Sequence, residues 1–165
     1  MKMLVFSDLH GDDKGAERME RAIEKYSPER ILLLGDLLDG SEGKALEVIR
    51  RYSGFILAVR GNCDRAYEEE TMNIPLPEHN VCTYEGHDVH MQHHPPYPIA
   101  YPPGDIVLFG HTHVKELYSE KGVIYMNPGS ISYPQDGRPS YGLFDGDILS
   151  LHDGDSGETL KSLTL

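Results

Sequence analysis

The stretch that most constrains this chain is Ile31-Leu32-Leu33-Leu34-Gly35-Asp36, four aliphatic residues in a row, then glycine, then a carboxylate. A short unbroken apolar run closed by glycine is the pattern of a strand buried on both faces, which belongs to parallel sheets. Asp36 then sits where that strand ends, and in open α/β sheets ligands bind at the carboxyl ends of the strands. Two roles fit it on this run alone. It caps a following helix, as aspartate often does, or it is a ligand in a site.

The neighbouring residues follow the same pattern. Met3 to Phe6 reads as a first strand ending in Ser7-Asp8-Leu9-His10-Gly11. Asp12 or Asp13 can cap a helix with Ala16, Met19, Ala22, Ile23 and Tyr26 on one face, ended by Ser27-Pro28. Ile31 to Leu34 is the second strand. A second amphipathic helix is expected from about Ser41, with Ala45, Leu46, Val48, Ile49 and Tyr52 inward and Gly54 as its stop. Phe55 to Val59 is a third strand, ending in Arg60-Gly61-Asn62-Cys63-Asp64. Such alternation means parallel βαβ units with right-handed crossovers.

The pattern then changes. Residues 65–78 form an acidic, proline-marked loop with one helical turn, and hairpins follow around Glu85-Gly86, Glu120-Lys121-Gly122 and Asp145-Gly146-Asp147. Asp105 to Phe109, closed by Gly110, repeats the pattern of Ile31–Gly35. The segment 95–104 holds five prolines and two tyrosines, which excludes regular structure. The expectation is an α/β protein of two packed sheets flanked by helices, with polar loops gathered at one edge. At 165 residues it is a single domain, 1–165.

The formal net charge of −12 argues against duplex nucleic acid as a partner, since that needs a basic face. If the substrate is a phosphate ester, metal cations must make the site locally positive. No apolar run approaches the ~20 residues of a membrane span. The run Met1–Phe6 is too short before Ser7-Asp8 for a secretory signal. A cytoplasmic protein without a membrane partner is therefore expected. Cys63 and Cys82 form neither a disulfide framework nor a CxxC motif. Six of the nine histidines fall between His87 and His113.

Five strand ends carry ligand-type side chains: Asp8 and His10; Asp36; Asn62; His93; His111 and His113. Imidazole, carboxylate and amide oxygen without thiolate suit Mn, Fe, Zn, Co or Ni. A shared carboxylate among N and O donors suits two ions about 3.5–4 Å apart, an arrangement that hydrolyses phosphate esters. Taken singly each piece has a plainer reading. His111-Thr112-His113 is a pair of solvated loop histidines unless strand alternation points both imidazoles one way, and Asn62 alone is a turn residue. Their common place at strand ends carries the joint reading.

Asp8-Leu9-His10, Gly35-Asp36, Gly61-Asn62-Cys63-Asp64, His93 and Gly110-His111-Thr112-His113, with Asn127-Pro128-Gly129-Ser130 and Ser140-Tyr141-Gly142 behind them, resemble the calcineurin-like metallophosphoesterases. More closely, the chain resembles the small YfcE-type phosphodiesterases of bacteria and archaea, over nearly its whole length. The resemblance implies a four-layer αββα sandwich with a dinuclear centre at its rim. Asp8, His10, Asp36 and His113 would hold one ion; Asp36, Asn62, His93 and His111 would hold the other. Manganese is the first expectation, with Ni, Fe, Zn or Co as alternatives.

Two departures bear on chemistry. Wider relatives carry histidine after the motif asparagine, where it can protonate a leaving group; here, as in the YfcE-type branch, that residue is Cys63. A thiol with pKa about 8.5 is a poor acid for a strongly basic leaving oxygen. Close relatives also carry His-Gly-His where this chain has His93-His94-Pro95. His93 is the better ligand because Val89 and Met91 share its face, with His94 as its rival. The implied reaction is attack on phosphorus by a metal-bound hydroxide, metal binding lowering the pKa of water from about 15.7 toward ~7. Asp36 and Asn62 are its central protein groups. Arg60, Cys63, His94 and Tyr97 are candidate contacts to a small phosphodiester or phosphoester. Arg60 reads equally as a surface arginine, and the segment bearing Tyr97 and Tyr101 equally as a stiff connector. The competing class is a protein-interaction scaffold of the same fold, like the small retromer subunit. Exposed edge strands leave a homo-oligomer open.

Overall fold

The computed structural model describes residues 1–97 and 99–165. Its first sheet has the strand order β11-β10-β9-β1-β2-β3. The strands β1 (Lys2–Phe6), β2 (Arg30–Leu33) and β3 (Ile56–Ala58) are parallel, linked by α1 (Asp13–Tyr26) and α2 (Lys44–Arg51). The strands β9 (Ser140–Asp145), β10 (Ile148–Asp153) and β11 (Thr159–Thr164) extend the sheet in antiparallel sense. The second sheet is ordered β4-β5-β6-β8-β7, from β4 (His79–Tyr84), β5 (His87–Gln92), β6 (Ile106–Leu108), β7 (Glu116–Glu120) and β8 (Val123–Asn127). In it, β5, β6 and β8 run parallel to one another, and β4 and β7 pair antiparallel with β5 and β8 at the two edges.

Alternation along each strand divides the apolar residues between two cores. In β1, Met3 and Val5 join Leu32, Leu34, Val89, Met91, Ile106, Leu108, Met126 and Phe144 between the sheets. Leu4 and Phe6 face the other way, with Ile31 and Leu33, under Ala16, Met19, Ala22, Ala45 and Val48 of the helices. The apolar run of β2 is thus buried on both faces, for the reason its composition gave. Helices cover the outer face of the first sheet. On the second sheet, Tyr101 of the proline-rich segment lies over His90 (ring centroids 4.8 Å apart) and its hydroxyl donates to Gln92 Oε1 at 3.0 Å. Among the described residues no helix is long and apolar enough to cross a membrane.

Asp12 is the cap of α1, accepting the Gly15 N–H at 2.8 Å, and Ser27 in left-handed conformation ends the helix. The helix α2 starts at Lys44, three residues later than the spacing suggests. Residues 37–41 instead follow the loop after β1: Gly11 N–H donates to Leu37 O, Ser41 N–H donates to Leu38 O, and Asp39 and Gly40 are both left-handed. Asp36 therefore caps no helix, which removes the plainer of its two roles. The short helix α3 (Glu68–Met72) is the expected turn in the acidic loop. The strand β11 was not anticipated. A register shift at Leu151/His152 interrupts its pairing, and only Leu160 and Leu163 of its residues pack against the core, at a spacing of three rather than two. Pro98, one of the five prolines of 95–104, lies outside the described residues.

Phe144 is fully buried between the sheets and meets Tyr84 edge-on at 5.0 Å. Phe144→Ala is expected to destabilise the fold by roughly 3–5 kcal/mol, read from urea unfolding.

Candidate metal centre

The parallel strands of both sheets end at one edge, and the residues just beyond them converge there. Asp8 and His10 follow β1, Asp36 follows β2, Asn62 follows β3, His93 follows β5, and His111 and His113 follow β6. The loops after β1 and β2 stay hydrogen-bonded beyond the strands, through Asp8 N–H to Gly35 O (3.1 Å) and His10 N–H to Asp36 O (2.9 Å). Backbones also approach each other too closely for side chains. A Cβ on Gly61 would collide with Asp36 Oδ1, and one on Gly110 would collide with Ser7 Oγ. Glycine precedes Asn62 and His111 because the adjoining strand ends cross there.

The seven side chains form two pockets that share one oxygen. In the first, His113 Nε2 lies 3.4 Å from Asp8 Oδ1 and 3.3 Å from His10 Nε2, and His10 Nε2 lies 3.7 Å from Asp36 Oδ2. In the second, His93 Nε2 lies 3.2 Å from the same Asp36 Oδ2 and 3.0 Å from Asn62 Oδ1. His111 Nδ1 completes it, 3.1 Å from Asn62 Oδ1 and 3.3 Å from His93 Nε2. His111 and His113 do not reach the site by strand alternation. The strand β6 stops at Leu108, both histidines have left-handed backbone (φ 71° and 59°), and each enters a different pocket.

These donors fit divalent cations. Two nitrogens bound at about 2.1 Å in a tetrahedral shell stand about 3.4 Å apart, the spacing found between these donors. Asp8 Oδ1 is buried with no hydrogen-bond partner, an arrangement that is unfavourable unless a cation faces it. Backbone carbonyls also set the tautomers. His93 Nδ1–H donates to Leu34 O at 2.6 Å and His113 Nδ1–H donates to Tyr133 O at 2.7 Å, so each neutral ring turns its Nε2 lone pair into the pocket.

The electrostatics agree with a cation site. Burial alone would raise the Asp36 pKa, but the His93 imidazole and the Cys63 N–H (2.8 Å to Oδ1) outweigh it and hold the carboxyl low. Burial opposes charge on His93, yet Asp36, the Leu34 carbonyl and Asp8 hold its pKa above the ordinary value. The Asp8 carboxylate, 3.4 Å from Nε2 and able to accept from it only once the ring is protonated, outweighs burial at His113 and raises it as well. Burial and the neighbouring His93 and His94 lower His111.

Of the other candidates, Cys63 lies at the site, its Sγ 3.5 Å from Asn62 Nδ2. Burial and the carboxylates of Asp36, Asp39 and Asp64 push its thiol pKa up. His94 stays exposed, its ring 4.5 Å from that of His111, while buried His93 takes the inward position. Arg60 turns away to Glu69 at 3.3 Å. Tyr97 bonds Tyr118 (2.9 Å between hydroxyl oxygens) and lines a groove of about 230 Å³ with Tyr101, Lys121 and Tyr125, bordered by none of the seven donors.

Three supporting residues escaped sequence reasoning. Asp64 accepts three backbone N–H groups, from Asp36 (2.8 Å), Leu37 (2.8 Å) and Gly61 (2.7 Å), and clamps two strand ends together. Ser130 Oγ donates to Asp8 O at 2.8 Å. Asn127 Nδ2 donates to Gly110 O at 3.1 Å. The signal was available: each lies inside a quoted motif as a short polar residue with no ligand role.

A profile of the calcineurin-like phosphoesterase superfamily domain matches residues 1–147. The chain belongs to this superfamily. It is 28% identical to Phosphodiesterase YfcE of Escherichia coli (strain K12) over 171 aligned positions, covering 92% of this chain and 91% of that one. A solved structure of YfcE, a phosphoesterase from E. coli, matches with a TM-score of 0.92 and 25% identity across 99% of both chains. Wild-type Vps29 complexed with zinc, from Entamoeba histolytica, shares the fold at a TM-score of 0.70 and 19% identity across 99% of both chains. Membership in a metallophosphoesterase family implies divalent metals, and the grouped Asp and His donors supply a place for them.

Because His93 and His113 hold protons more tightly than free histidine in the metal-free chain, a cation must displace those protons. The affinity for each manganese ion is therefore expected to climb as pH rises through and above about 6.5, by up to roughly tenfold per unit for the one such proton that each pocket loses. Calorimetric titration between pH 6 and 8.5 measures this slope.

Proposed function

We propose that this protein is a phosphodiesterase working at a dinuclear centre, one cation in each pocket and Asp36 between them. The observation that carries the proposal is the sharing of Asp36 Oδ2 by two sets of donors, beside a buried Asp8 oxygen without a partner. Divalent cations, manganese first among them, supply Lewis acidity and lower the pKa of water.

The chain's own groups position and orient. Asn62 puts Oδ1 into the second pocket and leaves its amide N–H₂ toward Cys63 and the open side, placed to donate to a phosphoryl oxygen. Asp36 is fixed from two directions: Asp64 binds its N–H, and Cys63 N–H binds Oδ1. That leaves Oδ2 as the shared donor. No strong acid faces the site from Cys63, whose thiol is held protonated by burial and by the carboxylates around it. Leaving groups that depart without enzymic protonation are therefore favoured, which means aryl or otherwise activated diesters over alkyl monoesters. The substrate is a small phosphoester, and the reaction belongs in the cytoplasm.

A non-catalytic scaffold is the competing reading, and the completeness of the donor set weighs against it. A protein that works through contacts alone has no need to bury Asp8 and Asp36 among four imidazoles.

Metal analysis is expected to find two ions per chain, and bis(4-nitrophenyl) phosphate is expected to turn over with Mn²⁺ faster than any alkyl phosphomonoester. Asp36→Asn is expected to lower kcat at least 100-fold, with loss of one or both ions. Two bound ions with no turnover of any diester in a panel run with Mn²⁺, Ni²⁺, Fe²⁺, Zn²⁺ and Co²⁺ would favour the scaffold. Preferred hydrolysis of an alkyl monoester would overturn the leaving-group argument.

A further inference from the structure

Tyr133 stands at the rim of the first pocket and belongs to neither apolar core. Its ring lies 6.1 Å from that of His10, and 51% of the residue is exposed. Its backbone is pinned on both sides. The N–H donates to Ser130 Oγ at 2.7 Å, and the carbonyl accepts from His113 Nδ1 at 2.7 Å. Ser130 Oγ in turn donates to the Asp8 carbonyl at 2.8 Å. The Cα of Tyr133 is thereby locked to Asp8 and His113, while the hydroxyl makes only a long contact, 3.4 Å, to Asp12 Oδ1. An exposed aromatic by itself carries no meaning. Here the backbone that fixes the tautomer of His113 also holds a large apolar face beside His10.

We propose that Tyr133 is a specificity-determining residue whose ring stacks on an aromatic substituent, aryl or nucleobase, of the phosphate ester held at the centre. This rests on the phosphodiester reading above. Tyrosine offers a wide rigid face with only two side-chain torsions to immobilise. Stacking on such a face tolerates any flat aromatic partner. The role needs the ring and not the hydroxyl, so phenylalanine and tryptophan should serve. It differs from a structural role, which would act on the centre through the Tyr133 carbonyl, a group that every substitution retains.

The test is calorimetric titration of manganese-loaded protein with phenylphosphonate and with methylphosphonate, in the wild type, Tyr133→Phe, Tyr133→Trp and Tyr133→Ala. Tyr133→Ala is expected to weaken phenylphosphonate about tenfold, with methylphosphonate affinity and manganese content unchanged. Tyr133→Phe and Tyr133→Trp are expected to keep the wild-type preference. The proposal is overturned if Tyr133→Ala weakens both phosphonates equally, or weakens neither. A wild type that binds methylphosphonate but does not prefer the phenyl compound overturns this proposal alone. A wild type that takes up manganese and binds neither phosphonate overturns the phosphoester reading, and this proposal with it.

Discussion

Five of the seven converging donors, Asp8, His10, Asp36, His111 and His113, sit on left-handed backbone, with φ between 49° and 71°. The left-handed region is unfavourable for a residue with a Cβ, by roughly 1–2 kcal/mol each. Aspartate tolerates it better than most residues, and histidine does too. Such a set persists only where the surroundings over-determine it. Here they do. Asp64 ties the ends of β2 and β3 through three N–H groups, Asn127 holds the Gly110 carbonyl, and Ser130 holds the Asp8 carbonyl. The left-handed turns are what aim Asp8 and His10 into one pocket and split His111 and His113 between the two. An extended chain would carry His10 past Asp36 and His113 past Asp8.

The same geometry explains which parts of the molecule could be read from the sequence. The strand Ile31–Leu34 announces itself because a doubly buried strand must be apolar throughout, and its two faces do enter two different cores. Glycine at 35, 61 and 110 marks the strand ends. At 61 and 110 it is there because another strand end passes where a side chain would be. Which residues converge was legible for a similar reason, since imidazole and carboxylate at successive strand ends have few other uses. What could not be read is orientation. Alternation in an extended strand was the argument for His111 and His113, and the chain delivers them instead through two left-handed residues into separate pockets. Arg60 was drawn toward the site by its neighbours in sequence, whereas Glu69, nine residues on, captures its guanidinium. Tyr97 was placed by adjacency to His93, but the proline-rich segment leads it to Tyr118 over the second sheet. Long side chains follow the partner that tertiary structure supplies, and a single sequence does not name that partner.

The acidic character of the whole chain bears on the kind of ester that the centre accepts. With a net charge of −12, the protein repels anions beyond the short range of any cations held at the centre. Screening at physiological ionic strength confines that repulsion to about 8 Å, which still includes the rim, where Asp12 and Asp39 stand beside His10 and Tyr133. Above the second phosphate pKa of about 6, a monoester approaches carrying close to two negative charges, whereas a diester carries one. The rim carboxylates therefore penalise the monoester more. The lack of a strong acid at Cys63 works in the same direction, because a poorly activated alkyl leaving group would gain nothing from that thiol. Charge at the rim and acidity within the site are independent properties of different residues. On the phosphodiesterase reading proposed above, both would favour an activated diester, and the aromatic face proposed at the same rim would add an attraction that net charge cannot oppose.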